Sequence, residues 1–279
     1  MKPAFQHITV PVDGSTTSER GVAFALELAR EGGRVSFCSV VDPLLVCTPA
    51  LQGAAADPGP MLEVLDQDAA LFCRRAGDEA AEQGIACDGE VLHGSCVREI
   101  SSFAQHNRSD AIVIGTHGRS GVSRTVLGSV AEGVIRHAAI PVVSVHQDDH
   151  VRTGPLVVAL DSSQAAQAAL DVAVDIAAAR RMPSILLFTC EDSAGMTPTD
   201  ALLEQAEKRA RDRGVVTKRA VRDGDVADEL LATAEEQECC MIVMGTHGRS
   251  ALARFILGSV AAEVIERAQI PVVTTRRAA

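Results

Sequence analysis

Two glycine-rich segments carry the residue types and spacing best suited to holding an anion. Gly115-x-x-Gly118-x9-Gly128-Ser129 recurs as Gly245-x-x-Gly248-x9-Gly258-Ser259. A glycine at a strand end lets the backbone come close to a ligand and reach positive φ. Gly128-Ser129 and Gly258-Ser259 each precede a helical segment, so unpaired N–H groups, the helix dipole and the serine hydroxyl would face an anion. Arg119 and Arg124, with Arg249 and Arg254, add positive charge to the same segments. Early in each copy a carboxylate, Asp13 or Asp161, follows a strand-like run. It could accept a hydrogen bond from a ribose hydroxyl or an exocyclic amine. The sum is a phosphate cradle opposite a carboxylate. One glycine alone is most simply a turn residue; the whole set, twice at equal spacing, is not.

The elements that must position these residues also come in two sets. The hexapeptide from Gly115 to Ser120 recurs letter for letter from Gly245 to Ser250, and residues 110–145 match residues 240–275 at 21 of 36 positions, offset by 130. Two long copies make a tandem domain rather than a solenoid. At the starts of the copies, Asp13 and Asp161, the offset is 148, so the first copy carries 18 more residues in its middle. The Ala/Pro/Gly-rich stretch 42–60 is the place for them and reads as a long surface loop. Polar residues 147–154 have linker composition, which divides the chain into domains 1–149 and 150–279.

Within each copy short apolar runs alternate with helical stripes. In the first, strands are expected at 5–12, 35–41, 87–93, 111–114 and 141–145. In the second they are expected near 155–160, 184–190, 215–221, 241–244 and 271–275. Val22, Leu26 and Ala29 form one helical stripe, and Leu170, Val174 and Ala177 another. Thr16-x-x-Glu19 offers a capping box, and a helix over 62–83 would end at Gly84. Strands without polar alternation argue for parallel sheets covered on both faces. The fold class is therefore α/β, with two doubly wound, Rossmann-like, five-stranded parallel sheets in strand order 3-2-1-4-5. Ligands in such sheets bind beyond the carboxyl ends of strands 1 and 4, at the switch point. Asp13, Asp161, Gly115 and Gly245 all fall there.

Composition narrows the classes further. Asp plus Glu is 37 against 26 Lys plus Arg, a net charge of −11, with no Trp and no Tyr. Such a chain is poorly suited to nucleic acid or to anionic membranes. No apolar run reaches the roughly 18 residues of a membrane span, and the N-terminal residues do not read as a signal peptide. The eight Cys form no C-x-x-C and have no zinc spacing with His, which points to reduced thiols in a cytoplasmic protein. There is no G-x-x-x-x-G-K-[ST], no G-x-G-x-x-G after the first strand, no G-x-S-x-G and no H-E-x-x-H. His117 and His247 read as loop contacts rather than catalysts.

On the glycine motif and the early Val12-Asp13-Gly14-Ser15, the chain resembles tandem universal stress proteins of the ATP-binding type over nearly its whole length. The resemblance implies that the aspartate after strand 1 contacts the nucleoside. It implies that a residue at the end of strand 2 holds adenine through its backbone, and that the glycines and serine bind phosphates. Carried over, the first copy gives Asp13, Val40, Ile114, Gly115, Gly118, Arg119, Gly128, Ser129 and Val130. The second gives Asp161, Cys190, Met244, Gly245, Gly248, Arg249, Gly258, Ser259 and Val260, with Asp161-Ser162-Ser163 departing from the family's D-G-S. The expected ligand is ATP, with Mg²⁺ an optional bridge between phosphates. The expected function is a nucleotide-binding stress or regulatory protein. A slow ATPase or autophosphorylating enzyme is the alternative, disfavoured because neither glycine-rich loop contains a carboxylate or Lys. Members of this family commonly dimerise through their last strands. An intrachain pseudo-dimer joined at 141–145 and 271–275 is therefore expected, with pairing of chains into a homodimer beyond it.

Overall fold

The computed structural model describes residues 4–44, 58–116, 127–146, 153–191, 199–248 and 257–276. Gly118, Arg119, Arg124, His117, Arg249, Arg254, much of the 42–60 stretch and most of the linker lie outside them. The first domain runs β1 (His7–Pro11), α1 (Thr16–Ala29), β2 (Arg34–Val41), α2 (Gly59–Glu82), β3 (Ala86–His93), α3 (Cys96–His106), β4 (Ala111–Gly115), α4 (Ser129–His137) and β5 (Val142–Val145). The second runs β6 (Leu156–Ala159), α5 (Gln164–Arg180), β7 (Ile185–Glu191), α6 (Thr199–Asp212), β8 (Thr217–Asp223), α7 (Val226–Glu236), β9 (Met241–Gly245), α8 (Ser259–Arg267) and β10 (Val272–Thr275).

The strands form one ten-stranded sheet in the order β3-β2-β1-β4-β5-β10-β9-β6-β7-β8. Each half is parallel and has the 3-2-1-4-5 order expected of it. The halves meet where β5 and β10 pair antiparallel, with Val143 opposite Val273. Both strands begin after a proline and would otherwise be apolar edges, which natural sheets cover or pair.

Residues of one strand alternate between the two faces. Ala111 and Val113 join a core under α1, α2, α5 and α6. Ile112 and Ile114 join a second core under α3, α4, α7 and α8. Both cores cross the seam, so the two domains share their interiors. Among the described residues no helix is long and apolar enough to cross a membrane.

Several local expectations change. Helix α1 is capped by Ser15, whose hydroxyl accepts from the Ser18 N–H at 3.2 Å. Thr16 is already helical, so Thr16-x-x-Glu19 is not the cap. Helix α2 begins at Gly59, inside the stretch read as loop, with Pro60 in the first turn, where no helical donor is needed. Strand β8 starts two residues later than expected, because the Val215 N–H is spent on the Ala210 carbonyl at 2.9 Å.

Strand registers locate the extra length of domain 1. Ile8 and Leu156 correspond, as do Val35 and Ile185, and Cys87 and Thr217. The offset is therefore 148 at β1, 150 at β2 and 130 at β3. Twenty added residues lie between β2 and β3, and two fewer between β1 and β2. Helices α2 and α6 end in register, at Glu82 and Asp212, but α2 has 24 residues and the described α6 has 14.

Candidate functional site

Parallel strands that end together at a switch point leave backbone groups with no neighbour. Strand β1 stops at Pro11, and the Val12 N–H makes the last bond, to the Cys38 carbonyl at 2.8 Å. Two residues further along β2, the Val40 N–H and C=O point the same way, past the end of β1. They face a cavity of about 370 Å³. In domain 2 the Leu160 N–H bonds the Phe188 carbonyl at 2.8 Å, which places the Cys190 backbone likewise.

The cavity gathers most of the residues singled out in the first copy. Asp13, Val40, Ile114, Gly115, Gly128, Ser129 and Val130 all line it. Asp13 lies in the turn after β1, where its Oδ1 accepts from the Ser15 N–H at 3.0 Å and the Ser15 hydroxyl at 2.6 Å. Across the cavity is the first turn of α4. Its cap, Gly128, contributes no side-chain bond, and the Gly128 N–H is tied to the Thr116 carbonyl at 2.8 Å. The first N–H with an acceptor inside the helix is that of Glu132, to Gly128 at 2.9 Å. The preceding N–H groups of Ser129, Val130 and Ala131 have no acceptor within the helix, and all three residues line the cavity. That is an anion cradle by geometry and by dipole.

The second copy keeps the frame. Gly258 N–H bonds the Thr246 carbonyl and Ala262 N–H bonds Gly258, both at 2.9 Å, leaving the same three N–H groups at the start of α8. Asp161 Oδ1 accepts from the Ser163 N–H at 2.8 Å. Gly248 approaches that carboxylate closely, since a Cβ there would lie 3.1 Å from Asp161 Oδ2. Met244 is the last residue but one of β9, as Ile114 is of β4, and Val260 occupies the first turn of α8 beside Ser259. His247 Nδ1 lies 2.8 Å from the Thr246 hydroxyl, and its buried Nε2 has no hydrogen-bond partner among the described residues. Burial, and then the Arg276 charge, lower its pKa and favour the neutral ring.

The glycines earn their places differently from the expectation. Gly128 and Gly258 have φ of −62° and −63°, and neither Gly115 nor Gly245 is at positive φ. The need is for space. A Cβ at Gly115 would lie 2.8 Å from the Thr17 carbonyl carbon, and at Gly245 2.8 Å from Ala165 Cβ. These two glycines let the strand end press against the first turn of α1 or α5. A Cβ at Gly258 would meet the Thr246 oxygen at 3.1 Å. Positive φ does occur at Gly14, +76°, where a Cβ would also strike the Phe72 ring at 2.3 Å. Ser162 stands there in domain 2, and the position matching Phe72 is Leu202.

Sequence reasoning missed several cavity residues. Ser15 orients Asp13, while Asp42, Leu65, Cys96 and Ile100 complete the wall at the β2 end. Ser15 was signalled by its place in Asp13-Gly14-Ser15; the others belong to no motif of distinctive residue types. Burial raises the thiol pKa of each of the seven described cysteines. Burial pushes the Cys73 thiol up to about 11 and Cys239 to about 12, and burial followed by Asp42 raises Cys96. All seven described cysteines are free thiols.

A doubly wound sheet with a carboxylate and a free helix start at each switch point defines a Rossmann-like α/β protein with a candidate site in each half. The universal stress protein family matches residues 4–146 and again 153–276, and the chain belongs to that family. It is 30% identical over 297 residues to a universal stress protein of Mycobacterium bovis, covering 99% of both chains. A universal stress protein of Mycolicibacterium smegmatis is 28% identical, with 96% of each chain covered. The crystal structure of a universal stress protein from Archaeoglobus fulgidus superposes with a TM-score of 0.79 at 22% identity, over 99% of this chain and 97% of that one. That likeness shows the shared fold.

Proposed function

We propose that the chain is an adenine-nucleotide-binding regulatory protein of the stress response, with one ATP site in each of domains 1–149 and 150–279. The observation that carries this reading is the meeting of three kinds of group at one cavity. They are the outward-facing backbone of Val40, the Asp13 carboxylate and the N–H groups at the start of α4. In this reading the Val40 N–H and C=O read the edge of adenine, and Ile114 packs against the base. Asp13, oriented by Ser15, accepts from the ribose. The N–H groups of Ser129 and Val130 and the Ser129 hydroxyl hold phosphate, with Gly118 and Arg119 contributing from the loop. Cys190, Met244, Asp161, Gly248, Arg249, Gly258, Ser259 and Val260 do the same in domain 2.

Among the described residues no group of three His, Cys, Asp or Glu is placed to hold a metal. Any Mg²⁺ would then be carried on the phosphates. The reading is binding, with hydrolysis slow and incidental, in a cytoplasmic protein. One chain supplies the pairing that two single-domain chains would make, and association of chains into a homodimer is a further part of the reading.

Calorimetric titration of the full chain with ATP tests it. Saturation near two nucleotides per chain is expected, falling to one in Asp13→Ala and in Asp161→Ala. A chain that binds no ATP overturns the reading.

A further inference from the structure

Part of the added length of domain 1 lies in the described helix α2. It brings a helical wall to the cavity. Counting from the common helix end, α2 runs ten residues further toward its N-terminus than the described α6. Leu65 lies in that extension and lines the cavity with Ala69. Cys96 and Ile100 line the opposite side, from α3 on the other face of the sheet. Between these walls lies the outward-facing backbone of Val40. The next residue of α2 is tied down as well. Asp66 Oδ1 is 2.7 Å from His93 Nε2 at the end of β3. Both side chains are about half exposed, so the pair aims the wall more than it clamps it.

At the positions of domain 2 that match by sequence offset the residue types differ, and two of the three lie outside the described residues. Gly195 stands at the Leu65 position, Met196 at Asp66 and Asp223 at His93. Val226, which matches Cys96, is 36% exposed.

We propose that Leu65, aimed by the Asp66–His93 pair, is a specificity-determining residue for the base in domain 1, and that the two sites therefore discriminate bases unequally. This rests on the nucleotide reading above and deepens it. A flat purine placed against Val40 meets an apolar side chain on each side, so a shift that would accommodate a wrong edge is blocked. With the wall removed, the base can tilt and find water for a mismatched group, and discrimination falls.

The test uses the full chain with one site silenced at a time. In an Asp161→Ala background, ATP and GTP affinities of domain 1 are compared for Leu65 and Leu65→Ala. The expected result is an ATP affinity about tenfold weaker, a smaller loss for GTP, and so a reduced preference. His93→Ala should weaken ATP about twofold in the same direction, and His93→Gln, which keeps a hydrogen bond to Asp66, should recover it. In an Asp13→Ala background, Leu65→Ala should leave domain 2 unchanged. Circular dichroism and melting curves verify that each variant is folded, and Leu65→Met serves as the volume-preserving control. Equal weakening of ATP and GTP would overturn the proposal, and so would no change in a site that Asp13→Ala abolishes. A wild-type chain that binds neither nucleotide would overturn this inference together with the functional reading.

Discussion

The two domains share a frame but finish it differently at the mouth of the site. Strand order, the aspartate after the first strand and the helix start after Gly-Ser are the same in both. Domain 1 adds Leu65 on a longer α2, and a glycine at position 14 that seats the Phe72 ring. Domain 2 has Ser162 and Leu202 at the latter two places. The difference teaches which parts of the design are rigid. Bonds that close the sheet and start the helix were kept, while packing behind the Asp13 turn differs in one compensated pair. A bulky ring goes with a glycine, and a smaller aliphatic side chain with serine.

The largest effect should come from separating the domains being compared. In β5 the Pro141 and Val145 carbonyls serve β4, at 3.0 Å each. By alternation Val143 also faces β4, and Ser144 faces β10. Ser144→Pro should therefore remove a donor at the seam and weaken it by about 3 kcal/mol, widening the domain separation in solution scattering. Val143→Pro should instead damage the sheet of domain 1 by a similar amount. If Ser144→Pro leaves the scattering profile unchanged, the seam does not depend on that ladder.

The compensated pair is the next lever. Gly14→Ser, which places the domain 2 residue in domain 1, should cost about 1–3 kcal/mol through crowding and positive φ. Adding Phe72→Leu should recover the crowding part in a double-mutant cycle read by urea unfolding. Strict additivity would show that the pairs drifted independently.

The smallest effect concerns pH. Burial, and then Arg34, lower the pKa of His7, whose Nε2 is 2.7 Å from the Ser36 hydroxyl. The folded state resists a proton that the unfolded chain takes up at about 6.5. Stability is then complete above that pH and declines as pH falls below it, until the folded ring is also protonated. Pro155 holds the matching position in domain 2 and does not titrate. His7→Gln should flatten the decline between roughly pH 7 and 5 in urea unfolding of domain 1. An unchanged slope would assign the decline to other groups, His247 among them.

The fold was legible because strands buried on both faces, helical stripes and a repeated motif are all contiguous patterns. The helix-start end of the candidate site was legible for the same reason, since Gly128, Ser129 and Val130 are neighbours in sequence and line one cavity. The wall at the other end was not. Leu65 reaches the cavity from the N-terminal extension of α2, whose residue types the second copy does not repeat. The glycines were recognised while their physical cause was misjudged. Whether a missing Cβ serves positive φ or a close helix is decided by Thr17 and Ala165, which are 98 residues from Gly115 and 80 residues from Gly245, respectively.

The antiparallel seam has a further consequence. All strands of domain 1 run one way and all strands of domain 2 the other, so their carboxyl ends, with Asp13 and Asp161, emerge at opposite rims of one continuous sheet. A flat partner that covers one mouth leaves the other open. Access to the two candidate sites is thus geometrically independent, each opening at its own rim of the sheet.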